Sequence, residues 1–564
     1  GVNAIPSGGS GTNGQFSVNG MRAESNYFLV DGVSANTGVN TASPGRGAGY
    51  SGSLPAGTAL GTTQSLASMD AVEEFRGVTS TYSAEYGRVP GGQFSFTTRS
   101  GTNEVHGSLY EYFRNDALDA NSFFDNRNGV GQPKMRQNNF GGTVGAPVWL
   151  PGLYNGNDRT FFFFSYEALR LRSPQESRIT SVPTAALRSQ IAPPELRRVL
   201  SAFPLPSAGY AEESGYTAPF VASYSQPSSI DSSSLRLDHA FSDVFRVFGR
   251  FAYVPSSTSS RYSGNMAQLT DSMVNNKTLT LGATNILGPF LSNEVRFNST
   301  WADQITKVRI DDFGGATPLS ISDFDGLRDT DWALFSYRVN TRPGFWLNPQ
   351  NNRQKQWNFI DTVTLVQGRH TWKAGLDWRR IQTDSSLPHF YQTPFYYNQD
   401  QLLTNTPRLN TAYRSVGNMA PVYRNLSLFL QDEWAVNDRL RLSLGLRWEW
   451  SPAPRDANGN QPYTVDQLDN LATTRIAPQG ADLWKTTYGN VAPRVGIAYL
   501  LNRSANYNTV IRTGAGLFYD TSTVQASEGY WYGLGITGTL NLNGKPFPLN
   551  GEQLNAIPAP SPVL

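Results

Sequence analysis

Apolar and polar residues alternate along much of the chain after His106. In Leu440–Trp450, Leu440, Leu442, Leu444, Leu446, Trp448 and Trp450 take one parity, and Arg441, Ser443, Gly445, Arg447 and Glu449 take the other. A strand sends alternate side chains to opposite faces, whereas a helix would scatter these leucines around its axis. His370–Arg379 repeats the pattern, with Trp372, Ala374, Leu376 and Trp378 against Thr371, Lys373, Gly375, Asp377 and Arg379. Phe245–Tyr253 repeats it again. About thirteen such segments are predicted, each near the ~9–11 residues that a tilted strand needs to cross a bilayer. They lie near 106–114, 137–146, 159–172, 232–241, 244–254, 276–286, 291–306, 355–366, 369–383, 423–435, 439–450, 491–501 and 508–519.

The connections alternate too. Ser242-Asp243, Leu287–Phe290, Gln367-Gly368 and Val436–Asp438 are tight joints. Between them lie long stretches at 173–231, 255–275, 307–354, 384–422 and 451–490. Short turns on one side and long loops on the other fit an antiparallel outer-membrane β-barrel, and closure would dispose of sheet edges. With the long loops outside, Trp357, Trp448 and Trp450 fall near the outer rim, and Trp372 and Trp434 near the inner one, as two aromatic girdles. Ordinary core aromatics of a soluble sheet are the plainer alternative. The polar parity likewise fits either a wet lumen or the solvent side of a soluble sheet.

The first hundred residues differ. Gly1–Gly61 is rich in Gly, Ser, Asn and Thr, with one apolar island, Tyr27–Val30, closed by the turn signal Asp31-Gly32. Asp70–Gly77 reads as a helical turn running into a strand, and Gly91–Thr98 as another strand. This stretch predicts a compact, loop-rich α+β unit.

Composition narrows the chemistry. Among 564 residues, charged residues are 16 %, well below a typical ~25 %, while aromatics reach 12 %. Lys+Arg 46 against Asp+Glu 44 leaves no basic excess for phosphates, so no nucleic-acid partner is expected. The absence of cysteine removes disulfides, thiolate nucleophiles and cysteine metal sites together. The four histidines, His106, His239, His370 and His389, show no metal-ligand spacing. Mean hydropathy is −0.40 and no stretch predicts a transmembrane helix, which leaves a β-barrel open. The chain opens on Gly-Val-Asn and is read as an excerpt of a longer protein.

The ordered series of motifs resembles a known family. Asp70–Gly77, Tyr86-Gly87, Gly91-Gly92 and Thr98–Asn103 resemble the end of the plug domain of TonB-dependent outer-membrane receptors. Asn19–Arg22 with Asn26–Val33 is similar to an earlier plug segment, and His106–Tyr110 to the first barrel strand. Phe113–Asn115, Leu118–Ala120, Phe123-Phe124, Asn138–Gly142, Gly145–Pro147 and Val182–Thr184 resemble the Oar-like branch, whose members often carry a carboxypeptidase-regulatory-like domain. Phe429–Trp434, Leu444–Glu449 and Ala492–Tyr499 resemble its recurrent barrel strands.

The resemblance implies part of a barrel of about 22 strands enclosing a plug. It makes 1–103 the C-terminal part of the plug and 104–564 an incomplete barrel. It implies the bacterial outer membrane, surrounding lipid, a small-molecule, glycan or peptide ligand, and drive from the inner-membrane TonB–ExbB–ExbD complex. The TonB box and the front of the plug are missing from the pattern. No catalytic residue, cofactor or metal ligand is predicted, and no ligand-binding residue is assigned. A secreted β-rich glycan-binding protein or hydrolase, and a non-transporting adhesin barrel, are the alternatives.

Several groups invite a chemical reading. Trp332, Phe335, Tyr337, Trp346, Tyr391, Tyr396 and Tyr397 could stack on a ligand, although packing the loops is the preferred reading. Arg76, Arg88 and Arg99 could pair with Glu73, Glu74 and Glu85 or with a lumen carboxylate such as Glu111. Asp323–Asp329 lacks the full spacing of a calcium loop and reads as a turn with solvated acids. Gly45–Gly49 follows no strand, so it is no dinucleotide fingerprint. Glu73 and Glu74, adjacent on a strand, point apart and make no acid–base pair. His106 and His370 read as packed or interfacial.

Overall fold

The computed structural model describes residues 2–4, 16–37, 52, 54–79, 83–213, 215–337, 344–503, 507–520, 529–531 and 533–562. The Gly45–Gly49 run lies outside them. Thirteen strands form one antiparallel meander: His106–Asn115, Arg136–Pro147, Thr160–Pro183, Thr217–Ala240, Phe245–Tyr262, Asn265–Gly288, Leu291–Ile310, Gln350–Gln367, His370–Ser385, Pro421–Ala435, Leu440–Trp450, Val491–Arg503 and Asn508–Gly516. Each pairs with the next, and the two end strands do not pair with each other, so the sheet is open.

Every segment predicted from alternation is a strand, but many run longer than the bilayer requires. Thr160–Pro183, Thr217–Ala240 and Asn265–Gly288 have 24 residues each. The expected loop at 255–275 is a continuation of two strands that meet at Ser263-Gly264. Pro255–Ser260 is polar at both parities. Beyond the lipid a ladder still satisfies its backbone groups without needing an apolar face, so pairing outlasts alternation.

The sheet is apolar outside and polar inside. In Gln350–Gln367 the buried residues are Gln350, Asn352, Gln354, Gln356 and Asn358, while Arg353, Lys355 and Trp357 between them are exposed. In Leu440–Trp450, Leu444 and Leu446 are 37 % and 48 % exposed, whereas Arg447 and Glu449 are buried. A water-soluble sandwich would bury the leucines. Such a band of exposed leucine, valine and aromatic side chains is an aggregation hazard in water and suits hydrocarbon. Trp372 and Trp434 lie beside the short turns and stack on His370 at 5.6 and 5.2 Å between ring centroids. Trp448, toward the long-loop end, donates its indole N–H to the Tyr488 carbonyl at 2.7 Å.

Residues before 99 build a four-stranded sheet in the order Val33–Ser34, Tyr27–Val30, Gln93–Thr98, Val72–Val78. Asp31 and Gly32 form the predicted turn with φ of +51° and +79°. A Cβ at Gly32 would stand 2.7 Å from the movable Arg296 guanidinium, and it is the left-handed φ that favours glycine there. Met69–Ala71 is a 3-10 turn leading into its strand. Val18, Phe28, Val30, Leu66 and Phe94 form the core of this unit.

The long connections fold on one another. Helices Ala185–Gln190, Pro194–Ser201 and Gln399–Thr404 pack with a five-stranded sheet around Leu187, Leu196, Phe203, Phe335, Phe345 and Phe547. That sheet runs Gly344–Leu347, Trp332–Tyr337, Phe390–Tyr396, Leu409–Ser415, Thr537–Asn541.

Candidate functional site

Two places bring functional groups together: the seam between the N-terminal unit and the inner wall, and the face of the loop sheet.

At the seam, Arg88 is fully enclosed with φ +70°. Its Nε donates to Asp377 Oδ2 at 3.0 Å, and its Nη2 stands 2.9 Å from Oδ1. The Arg88 backbone N–H donates to Glu449 Oε1 at 3.1 Å. Arg447, bonded to Glu449, donates to the Ala84 and Glu85 carbonyls at 3.2 and 3.0 Å. Arg494 donates to the Ser83 carbonyl at 2.7 Å, and Gln431 accepts from the Ala84 N–H at 2.9 Å. Four neighbouring strands therefore grip residues 83–88 through inward side chains, because alternation places Asp377, Gln431, Arg447 and Arg494 on one face. Burial alone would lower the Arg88 guanidinium, but the Asp377 carboxylate reverses that and raises it. Burial, reinforced by Glu85, pushes the Tyr86 hydroxyl up to about 12.

A second grip holds the Asp31 turn. Asp31 lies 3.4 Å from Arg236 and 3.7 Å from Arg250, and accepts from the Thr98 hydroxyl. Between these grips is a polar cavity of about 340 Å³ lined by Glu74, Arg76, Glu85, Arg236, Arg296 and Lys373, among others.

The charged groups singled out in the sequence are distributed unevenly. Arg88 meets a lumen carboxylate, Asp377 rather than Glu111. Glu85 pairs with Lys373 at 3.1 Å. Arg76 and Arg99 make no ion pair among the described residues, and Arg99 donates to the Val72 carbonyl. Glu73, Glu74 and Glu111 are exposed. Asp323 caps Ser320 and pairs with Arg198 at 3.2 Å, and Asp325 accepts from the Gly551 N–H. His370 donates from Nδ1 to Asp432 Oδ2 at 2.8 Å, stacked as described.

The loop sheet has two unlike faces. One carries Ala333, Phe335, Phe345 and Tyr396 into the loop core. The other carries Trp332, Leu334, Trp346, Tyr391 and Tyr413 around a cavity of about 340 Å³. Trp332 stacks on Trp531 at 6.1 Å and meets Tyr391 edge-on at 5.7 Å. Tyr391 stacks on Tyr413 at 5.4 Å. Trp332 also packs with Trp531 near Ala302, an inner-wall residue, so this face looks onto the end of the large sheet. Of the predicted aromatics, Phe335 and Tyr396 pack the core, whereas Trp332, Trp346 and Tyr391 line the cavity. Tyr397 lies under Arg408 at 5.6 Å, and the side chain of Tyr337 falls outside the described residues. Asn348, Tyr413 and Trp531, which also line the cavity, carried no sequence signal beyond residue type.

Comparison with known proteins agrees with this geometry. A family model described as "Outer membrane beta barrel domain" matches residues 97–562. The TonB-dependent transporter Oar of Myxococcus xanthus is 27 % identical over 154 residues, which are 27 % of this chain and 12 % of that protein. Among solved structures, the copper transporter OprC superposes with a TM-score of 0.52 at 12 % identity, over 92 % of this chain and 58 % of that one. The outer membrane transporter YddB from Escherichia coli gives a TM-score of 0.49 at 12 % identity, over 86 % and 55 % of the two chains. The chain thus spans little more than half the length of these two structures, and the likeness to OprC is one of fold. A sheet that turns leucines outward and polar side chains inward, matched over most of its length, makes this chain a member of the outer membrane beta barrel domain family, in the bacterial outer membrane and resembling TonB-dependent transporters.

Proposed function

We propose that the chain is the plug end and part of the barrel of an energy-coupled outer-membrane receptor. Residues 1–103 act as the C-terminal part of the plug and 104–564 as barrel wall and extracellular loops. A ligand binds at the long-loop face, and a pull relayed from the TonB–ExbB–ExbD complex frees the plug from the wall. The observation that carries this reading is the seam at residues 83–88. It is made of ion pairs and hydrogen bonds to Asp377, Gln431, Arg447 and Arg494, not of interlocked apolar side chains. Water can take over such contacts, so each contributes only about 1.5–3 kcal/mol net even where a group is charged. An anchor meant never to move would gain more from apolar burial.

The test uses the absence of cysteine from these 564 residues, with any cysteine outside them replaced by serine. Ser427 is fully buried on the inner wall, bonded to Glu449. In the full-length protein in cells, Ser427→Cys should react with a maleimide when the energy complex is present and lose that reactivity when the complex is deleted. Equal labelling in both strains would sink the proposal.

A further inference from the structure

Asn348 lies in the two-residue link between Gly344–Leu347 and Gln350–Gln367. It is 8 % exposed, its side-chain amide makes no hydrogen bond to another described residue, and its polar atoms keep access to solvent. Asn348 lines the cavity bounded by Trp332, Trp346, Tyr391, Tyr413 and Trp531. The described lining contains no Asp, Glu, Lys, Arg or His. Its volume, about 340 Å³, lies in the range of small-molecule sites.

We propose that this cavity binds an uncharged oligosaccharide. This rests on the receptor reading above and names the ligand class for its outer face. Flat indole and phenol rings suit the C–H faces of a pyranose, which present apolar area in a plane. The Asn348 amide offers two N–H donors and a carbonyl acceptor, a match for neighbouring hydroxyls that each donate and accept. An anionic chelate would find no cation in the described lining to hold it. A peptide strand would add along an edge of the loop sheet, where backbone groups are free, rather than on its face. A wholly apolar ligand would leave Asn348 as unpaired as before.

The experiment is calorimetric titration of the detergent-purified full-length protein with maltohexaose, cellohexaose and xylohexaose, and with oligogalacturonate and a ferric tris-catecholate as charged probes. At least one neutral oligomer should bind, with the charged probes at least 10-fold weaker. Asn348→Leu, close in volume, should weaken it at least 10-fold. Trp346→Ala should do the same, and Trp346 is 44 % exposed, so its loss leaves the loop core intact. No binding by any neutral oligomer, or binding indifferent to both variants, overturns the inference. If the sugars fail while Ser427→Cys labelling still depends on the energy complex, the ligand class falls and the receptor stands. If sugar binding requires Asn348 while labelling ignores the complex, the site stands and the receptor reading falls.

Discussion

Replacing Leu446 by arginine tests the orientation of the whole sheet. Leu446 is 48 % exposed on the outer face, directly across from Leu430 and Pro493 on the flanking strands. A guanidinium there meets hydrocarbon with no acceptor beside it, which costs roughly 2–4 kcal/mol near the bilayer midplane. Leu444 shares that face but sits across from Asp432, whose Oδ1 is buried without a partner. A hydrogen bond to a charged group contributes about 1.5–3 kcal/mol, so the same substitution at Leu444 should be clearly milder. Ser443 points inward, with its hydroxyl 2.6 Å from Glu433 Oε1, and an arginine there gains a carboxylate in a wet lumen. Its effect should stay below about 1 kcal/mol. Guanidinium unfolding in lipid vesicles, read by tryptophan fluorescence with heat-modifiable migration as a fold check, would rank the three. The required order is Leu446→Arg worst, then Leu444→Arg, then Ser443→Arg. Equal effects at Leu446 and Ser443 would refute the face assignment, and Leu444 costlier than Leu446 would refute the role given to Asp432.

Arg88→Gln strands the Asp377 carboxylate, leaving Asn358 at 2.7 Å and Arg447 at 3.7 Å as its nearest polar company. Docking of residues 83–99 should weaken by roughly 3–5 kcal/mol, seen as faster proteolysis there with unchanged heat-modifiable migration, and unaltered proteolysis would contradict the seam. Burial alone would raise the Asp311 carboxyl, but hydrogen bonds from Arg261 and the Phe313 N–H, with the charges of Arg261 and Arg309, hold it below the usual range. A depressed carboxyl stabilises above its unfolded value of about 3.9 and loses that stabilisation as pH falls through the folded one. Protease access near Ser263-Gly264 should therefore rise only below about pH 4, and Asp311→Asn should show the raised access at neutral pH, without the acid step.

Strand existence was legible because lipid imposes period two on one face, and Leu440–Trp450 obeys it without exception. Strand ends were not, since Pro255–Tyr262 continues the ladder above the membrane, where no face must be apolar. Arg88 stood out as a candidate for an ion pair, but its partner did not. Asp377 lies 289 residues away and becomes a neighbour only when the large sheet meets the N-terminal unit. The aromatics of the loops showed type without side: Trp332 and Phe335 are three residues apart, and strand parity sends one to the cavity and the other to the core. Asn348 was illegible altogether, because nothing in a sequence marks an amide that will face a cavity rather than a protein partner.

The order in which the proposed plug yields follows from what each boundary is made of. Its core buries Val18, Phe28, Val30, Leu66 and Phe94 against one another. Exposing each such side chain costs about 1.5–3 kcal/mol, with no replacement offered by water. Its boundary with the wall is polar at Asp31, Ser34, Ala84 and Arg88. Hydration can take over those contacts, and the cavity beside Arg76 and Lys373 already brings polar space to them. A pull along the Val72–Val78 strand, which lies at the open edge of the plug sheet, therefore meets the weaker resistance at the wall. The plug should come away from the barrel before its own sheet is dismantled. A protease that cuts within Phe28–Val30 of the energised receptor, before it reaches residues 83–88, would show the opposite order.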